Sequence, residues 1–368
     1  MKFSLAKSAR LRSTPFTELI ESYGVESYTV YNHMLLPASF KGLVEDYEHL
    51  KKSVQLWDVS GERQVQIKGP DASRLIQLIT CRDLSSAQKN ICYYCPIVDE
   101  KGKILNDPLL MKISDDTWWV SIADSDVLLY AKGLSLGLKL QCEITEPNIN
   151  PLAVQGPFSF DLMQRIFGEE ILNLKFFHFQ KFLYQKHPLT IARSGWSKQG
   201  GFEIYVDNDD LGVELFKELM IKGQDLDVRP GCPNLIERIE GGLLSYGNDM
   251  DMRDTPLECG LERFVSFNPN IQYLGKEYLL KQSKEGIQQS LIGLKLERDH
   301  LSITKHLPIY YERKKIGELR SGCYSPTFKC CLAIAMIKTN HQIFNEKINL
   351  TINNEVLETQ MIKLPFLK

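Results

Sequence analysis

The sequence predicts an α+β protein of two or three domains with an all-β end, and three observations predict it. Its 368 residues exceed the roughly 250 to 300 at which a single core stops growing. Strand and helix patterns mix in units of about 90 to 110 residues, which favours α+β units over one doubly wound sheet. From about Ser290 the pattern changes to short strands and turns without a long helical run, as in a separate C-terminal β-barrel or sandwich.

Composition narrows the function classes. Hydrophobic residues at 43%, charged residues at 24% and a net charge of -2 fit a globular fold and leave no basic footprint for nucleic acid. No apolar run approaches the roughly 18 to 20 residues of a membrane span. The opening MKFSLAKSARLRS lacks the apolar centre of a secretory signal, so a cytoplasmic protein is expected; its acid-free, basic character gives a transit peptide as the lesser reading. Nine cysteines, an odd number spread over the chain, favour a reducing compartment over a disulfide framework. Cys92 and Cys95 form a CxxC, but no second pair completes a zinc site, and the reading is structural thiols with no metal.

Taken in order, Ser27–Pro37 is an aromatic-rich stretch ended by proline, of a composition that more often fills a core than lines a site. Gln64–Lys68 alternates as a strand, and Gly69-Pro70-Asp71 opens a helix with Leu75, Ile76, Leu78 and Ile79 on its apolar side. Cys92–Val98, Lys103–Ile113 and Thr117–Ile122 make a β-meander with a turn at Asp99–Gly102. Pro108 marks an edge or bulge there, because proline removes a ladder donor and bulges re-aim their neighbours. That makes Asn106-Asp107 a candidate site. Leu128–Leu136 and Phe158–Phe167 read as helices, with strands at Gln141–Ile144 and Leu152–Gln155.

The stretch Arg193–Val206 is a glycine-punctuated turn running into an alternating strand, with Glu203 and Tyr205 on one face and Phe202 and Ile204 on the other. Leu211–Ile221 is an amphipathic helix and Arg229–Pro233 a rigid turn. Leu235–Leu244 is a helix whose Arg238 reads, by itself, as a solvated or salt-bridged face. Leu307–Tyr311 and Lys315–Leu319 are strands of the last unit, with Ser321–Pro326 between strands. Neither a GxGxxG nor a Walker-type loop occurs, which removes the usual dinucleotide and nucleotide triphosphate signals.

Trp57-Asp58-Val59, the Tyr94 strand, Asn106-Asp107, Val154–Pro157, Gly201-Phe202-Glu203, Tyr246–Asp249, Thr255–Glu258 and Ser321–Pro326 together resemble the folate-binding glycine-cleavage T-protein (aminomethyltransferase) family. The resemblance spans nearly the whole chain. It implies a three-domain cloverleaf with tetrahydrofolate, the methyl acceptor, in a central channel, and neither metal nor flavin. The implied domains are a discontinuous α+β domain of residues 1–52 and 148–262, a second α+β domain of 53–147, and a C-terminal β-barrel of 280–368. Small molecules are the implied partners, and a homodimer is the implied assembly.

Within the family, Tyr28–Pro37, Cys92–Pro96, Ser121–Asp126 and Ser194–Gly201 resemble the branch that demethylates dimethylsulfoniopropionate. Trp196 and Lys198 stand where glycine-cleavage enzymes have a Tyr and an acidic loop, Ile122 where they keep an Asn, and Asn106 in place of the first of their paired acids. The resemblance gives Asp107 the catalytic position and assigns Tyr94, Ile122, Glu203, Tyr205 and Arg238 to the folate. It gives Trp196, Tyr31, Met34 and Lys198 to the methyl donor. A rigid aromatic such as Trp196 suits a soft cation, although core packing also explains a Trp there. A folate-dependent methyl- or aminomethyltransferase with another donor, such as a betaine, dimethylglycine or the glycine-cleavage intermediate, and a non-catalytic folate-binding module are the alternative functions.

Overall fold

The computed structural model describes residues 8–344 and 346–367, and residues 1–7, most of the basic opening segment, lie outside the described part. Three β-systems carry the architecture. The first is a six-stranded sheet in the order Phe179–Tyr184, His187–Ala192, Gly201–Val206, Asn150–Gln155, Val54–Asp58 and Val228–Gly231. Gly201–Val206 lies inside it, and every residue of that strand is buried. Phe202, Ile204 and Val206 pack into a core with Phe16, Leu215 and Phe216, while Glu203 and Tyr205 take the opposite face, as the period of two requires. Asn208 caps the following helix Asp209–Lys222 by accepting from Leu211 N at 3.0 Å, and Asp209 and Asp210 in its first turn suit the positive end of the helix dipole.

Two segments differ from expectation. The boundary expected at residue 53 puts Val54–Asp58 with the second unit, yet this strand pairs with Asn150–Gln155 in the first sheet and is buried throughout. Arg229–Gly231, expected as a turn, is part of a strand running parallel to Val54–Trp57. Pro230 is tolerated because the strand is at the sheet's edge, where its missing N–H costs no interior ladder bond.

The second system is a five-stranded sheet in the order Glu143–Thr145, Gln64–Lys68, Thr117–Ser121, Leu109–Lys112 and Cys92–Tyr94. Helices Ala72–Ile79 and Val127–Gly137 contribute Leu75, Ile76 and Ala131 to its core. Ile97–Val98 and Ile104–Asn106 form a separate two-stranded sheet, with the expected turn at Asp99–Gly102 between them. The chain passes from that ribbon into the five-stranded sheet at Asp107-Pro108, where Pro108 O accepts from Cys95 N at 3.0 Å. The proline therefore breaks the strand and turns Asp107 out of the ladder.

The third system is a closed barrel in the order Gln289–Leu296, Cys330–Lys338, Lys314–Ser325, Leu307–Tyr311, Lys347–Ile352 and Glu355–Ile362. Ser321–Ser325 is not a connection but the second half of the strand Lys314–Ser325, whose register shifts between Leu319 and Ser321. A helix at Lys276–Glu285, not read from the sequence, leads into the barrel. Among the described residues no helix is long and apolar enough to cross a membrane. All three systems contribute walls to one cavity of about 2210 Å³.

Candidate functional site

The cavity is roofed by the hairpin Ser27–Tyr31/Met34–Ser39. Asn32 and His33 form its turn with φ of 49° and 60°, the left-handed geometry a two-residue hairpin loop needs. Asn32 then ties the roof down: its Nδ2 donates to Gly61 O at 2.9 Å, and its backbone N–H donates to Asp124 Oδ1 at 2.8 Å. Gly61 permits that approach, since a Cβ there would stand 3.3 Å from Tyr31 O. Tyr31 faces the cavity. Met34 is buried, bridged to Arg12, and takes no part in the cavity wall.

Carboxylates Glu62, Asp107 and Glu203 meet this space from different strands and turns. Asp107 Oδ2 accepts from Tyr94 Oη at 2.8 Å. Burial pushes Asp107 up to about 7, and the Tyr94 hydrogen bond only partly offsets it. Tyr94 itself is held well above the usual phenol range, by burial first and by the Asp107 charge next. The neighbouring Asn106 turns the other way: its Nδ2 donates to Ala123 O at 2.9 Å and Ser125 Oγ at 2.8 Å, which fixes the loop carrying Ile122 and Asp124. Asn106 is thus an architectural residue, and Asp107 alone of the pair reaches the cavity.

Glu203 Oε2 accepts from Ser194 Oγ and, at 3.4 Å, from Tyr205 Oη. Both bonds fall on one oxygen, so Oε1 is left for a ligand. Burial raises Glu203, with those two hydrogen bonds opposing it. Tyr205 does not line the cavity: it stands behind Glu203 and packs 6.1 Å from Trp119 across the gap between the two sheets. Enclosure holds Glu62 well above the ordinary carboxylate range, and the charges of Glu203 and Asp107 push it further. The sequence reading missed Glu62. Its signal was the run Gly61-Glu62-Arg63 directly after the buried Val54–Asp58 strand, at a turn and therefore outside any periodic pattern.

The loop 194–200 is pinned at several points. Gly195 has φ 147°, and a Cβ there would fall 2.0 Å from Gln155 Nε2. Ser197 Oγ donates to Gln155 Oε1 at 2.8 Å. Glu237 Oε1 accepts from Lys198 N and Gln199 Nε2, both at 2.9 Å. This presents Trp196 to the cavity, with the Arg238 guanidinium 5.9 Å from its ring centroid. Arg238 is buried and donates to Asp249 at 2.7 Å, so it is a paired interior cation and not a solvated face. Lys198 is exposed at the rim, its stem lying over Gly241. Cys92 and Cys95 are buried, and burial pushes the Cys95 thiol up to about 12.

Fold and site together define a class. The family model "GCVT N-terminal domain" matches residues 16–269, and "Glycine cleavage T-protein C-terminal barrel domain" matches 289–368. The chain belongs to the glycine cleavage T-protein family, whose members are folate-dependent transferases. Within it, the chain is similar to dimethylsulfoniopropionate demethylase DmdA of Ruegeria pomeroyi, at 46% identity over 338 residues that cover 92% of each protein. It is also similar to an aminomethyltransferase of Caldanaerobacter subterraneus subsp. tengcongensis, at 28% identity over 97% of this chain and 96% of that one. The crystal structure of aminomethyltransferase T from Bartonella henselae shares the fold, with a TM-score of 0.86 at 21% identity over 97% of this chain and 98% of that one.

Proposed function

We propose that this protein moves one methyl group from dimethylsulfoniopropionate to tetrahydrofolate, giving 5-methyltetrahydrofolate and 3-(methylthio)propanoate. One observation carries the reading: a single cavity holds Glu62, Asp107 and Glu203 together with the aromatic faces of Tyr31, Tyr94 and Trp196. Aromatic faces and carboxylates are what a soft cation and a flat, N–H-rich ring each require.

Glu203 offers Oε1 to the pterin's ring N–H and amino group, and Tyr205 and Ser194 hold it there through Oε2. Ile122 and Tyr94 flank the ring, and Arg238 buttresses the pocket next to Trp196. Trp196 and Tyr31 enclose the sulfonium, with Lys198 at the rim for the donor's carboxylate. Met34, buried at the start of the hairpin's second strand and outside the cavity wall, is not assigned to the donor.

Holding the S-methyl carbon in line between sulfur and pterin N5 would be the main catalytic contribution of these walls. In the displacement the N5 lone pair forms the new C–N bond, and the C–S pair stays on sulfur as a neutral thioether. Asp107 accepts the proton that N5 loses. A carboxylate poised near the working pH suits that task. The leaving thioether needs no proton, so no general acid is required. A cytoplasmic setting accords with nine cysteines that are all free.

The test is purified protein with tetrahydrofolate and dimethylsulfoniopropionate, following 5-methyltetrahydrofolate. Turnover with glycine betaine or dimethylglycine but not with the sulfonium would overturn the donor and keep the family. Tight folate binding without turnover on any donor would make the protein a binding module.

A further inference from the structure

We propose that Glu62 is the carboxylate that selects a cationic donor, meeting the onium charge directly in the cavity. The proposal rests on the methyl-transfer reading above and deepens it. Glu62 is fixed through its main chain, its N–H donating to Val59 O at 2.8 Å and its carbonyl accepting from Gln64 Nε2 at 2.9 Å. Its side chain opens into the cavity and, among the described residues, makes no hydrogen bond or ion pair. The charges that act on it are those of Glu203 and Asp107, both of its own sign.

Several basic residues in or beside the cavity are committed elsewhere, and the remaining lining cations Lys198, Arg263 and Lys363 are not among the charges that act on Glu62. Arg63, next in the chain, donates to Glu146 at 3.0 Å, and Arg12 is bound to the same oxygen. Arg238 pairs with Asp249 at 2.7 Å, and Arg320 pairs with Asp251 and Asp254, both at 3.2 Å. Arg82 donates to the Tyr94 carbonyl at 2.8 Å. An enclosed carboxylate without a counter-charge is costly, and a cation arriving beside it removes that cost. Asp107 and Glu203 each have a protein hydroxyl as donor. Glu62 has none and is the carboxylate that the protein leaves to the ligand. Aromatic faces favour a cation only modestly and accept neutral groups as well, whereas a lone carboxylate discriminates sharply by charge.

The experiment compares dimethylsulfoniopropionate with 4-methylpentanoate, which replaces the sulfonium by an uncharged CH of similar shape. Both are titrated calorimetrically into the full chain without tetrahydrofolate, so that nothing turns over. The wild type should prefer the sulfonium, and Glu62→Gln should cut that preference about tenfold or more. Glu62→Gln should still bind tetrahydrofolate with wild-type affinity, which shows that the cavity is intact. An unchanged preference overturns the proposal, as does a loss of tetrahydrofolate affinity with the preference retained, which would make Glu62 a pterin ligand. If the wild type fails to demethylate the sulfonium yet loses its onium preference in Glu62→Gln, the selection by Glu62 stands and the donor assignment falls. If the wild type turns the sulfonium over and the preference is unchanged in Glu62→Gln, the donor assignment stands and the selection by Glu62 falls.

Discussion

Asp107→Asn should stabilise the protein while disabling it, and the gain should grow with pH. The carboxyl titrates at about 7 in the fold against 3.8 when free, with burial as the first cause. Its folded value lies above the unfolded one, so the folded protein holds an extra proton between these pH values. The stability this represents is complete below pH 3.8 and is lost as pH rises through about 7. At about 1.36 kcal/mol per tenfold change in proton affinity, the ionised carboxylate costs the fold up to ~4 kcal/mol at pH 8 and under ~2 kcal/mol at pH 5. The neutral amide carries no such penalty. Urea denaturation of both proteins at pH 5 and pH 8 should therefore show the advantage of Asp107→Asn growing by about 2 to 3 kcal/mol between the two. An advantage that is flat with pH would refute the claim that desolvation of this carboxyl is retained for function. The kinetic counterpart is an acid limb of kcat/KM near pH 7, moved upward in Tyr94→Phe, because the Tyr94 hydrogen bond lowers Asp107 and its removal releases that restraint.

Other substitutions separate the two ligands. Glu203→Ala should weaken tetrahydrofolate binding by about thirtyfold or more, the worth of charge-assisted hydrogen bonds at a buried site, as read by fluorescence titration. Trp196→Ala should raise KM for the donor about three- to thirtyfold, for a cation-π contribution of about 0.5 to 2 kcal/mol, with folate affinity little changed. Equal loss of both ligands from either change would contradict the division of roles. Glu237→Ala removes the acceptor of two hydrogen bonds at 2.9 Å beside Trp196. Its signature should be a donor KM raised about tenfold with kcat at saturating donor largely kept. Gly195→Ala should lower stability by about 1 to 3 kcal/mol in thermal denaturation, through the strained φ and the collision with Gln155.

Local periodicity carried far into this structure and stopped where partners are distant. The alternation of Gly201–Val206 placed Glu203 on the face away from the Phe202 core, and Pro108 placed Asp107 at a break in the meander. Alternation could not say what each position on a face would meet. Glu203 opens into the cavity, while Tyr205, two residues on, meets Trp119 of the other sheet. The strand Val228–Gly231 was illegible because its pairing partner, Val54–Trp57, lies far away in the chain and its own residues, Arg-Pro-Gly, have turn composition. The same pairing explains the misplaced boundary at residue 53. Glu62 was missed for a related reason: a turn residue has no period, and its meaning comes from Asp107 and Glu203, which are brought to it by the fold.

The cavity's charges also bear on chemistry that its aromatic walls leave open. Trp196 and Tyr31 could enclose a sulfonium, a quaternary ammonium or a flat neutral ring with similar success. Glu62, Asp107 and Glu203 are each raised by burial, which disfavours the charged form of each. A neutral or anionic donor would leave that disadvantage in place or deepen it. On the proposed roles a cation would reverse it, restoring the ionised forms with which Glu203 would hold the pterin and Asp107 would accept a proton. In that scheme donor binding and acceptor activation would be one electrostatic event, and the methyl's departure, which discharges the sulfonium, would withdraw the stabilisation and favour release of the neutral thioether end. The same coupling predicts that a cationic donor and tetrahydrofolate bind with positive cooperativity, whereas 4-methylpentanoate and tetrahydrofolate do not; calorimetric titration of each acid with and without the folate distinguishes these outcomes, and equal cooperativity for the two acids would separate donor charge from acceptor activation.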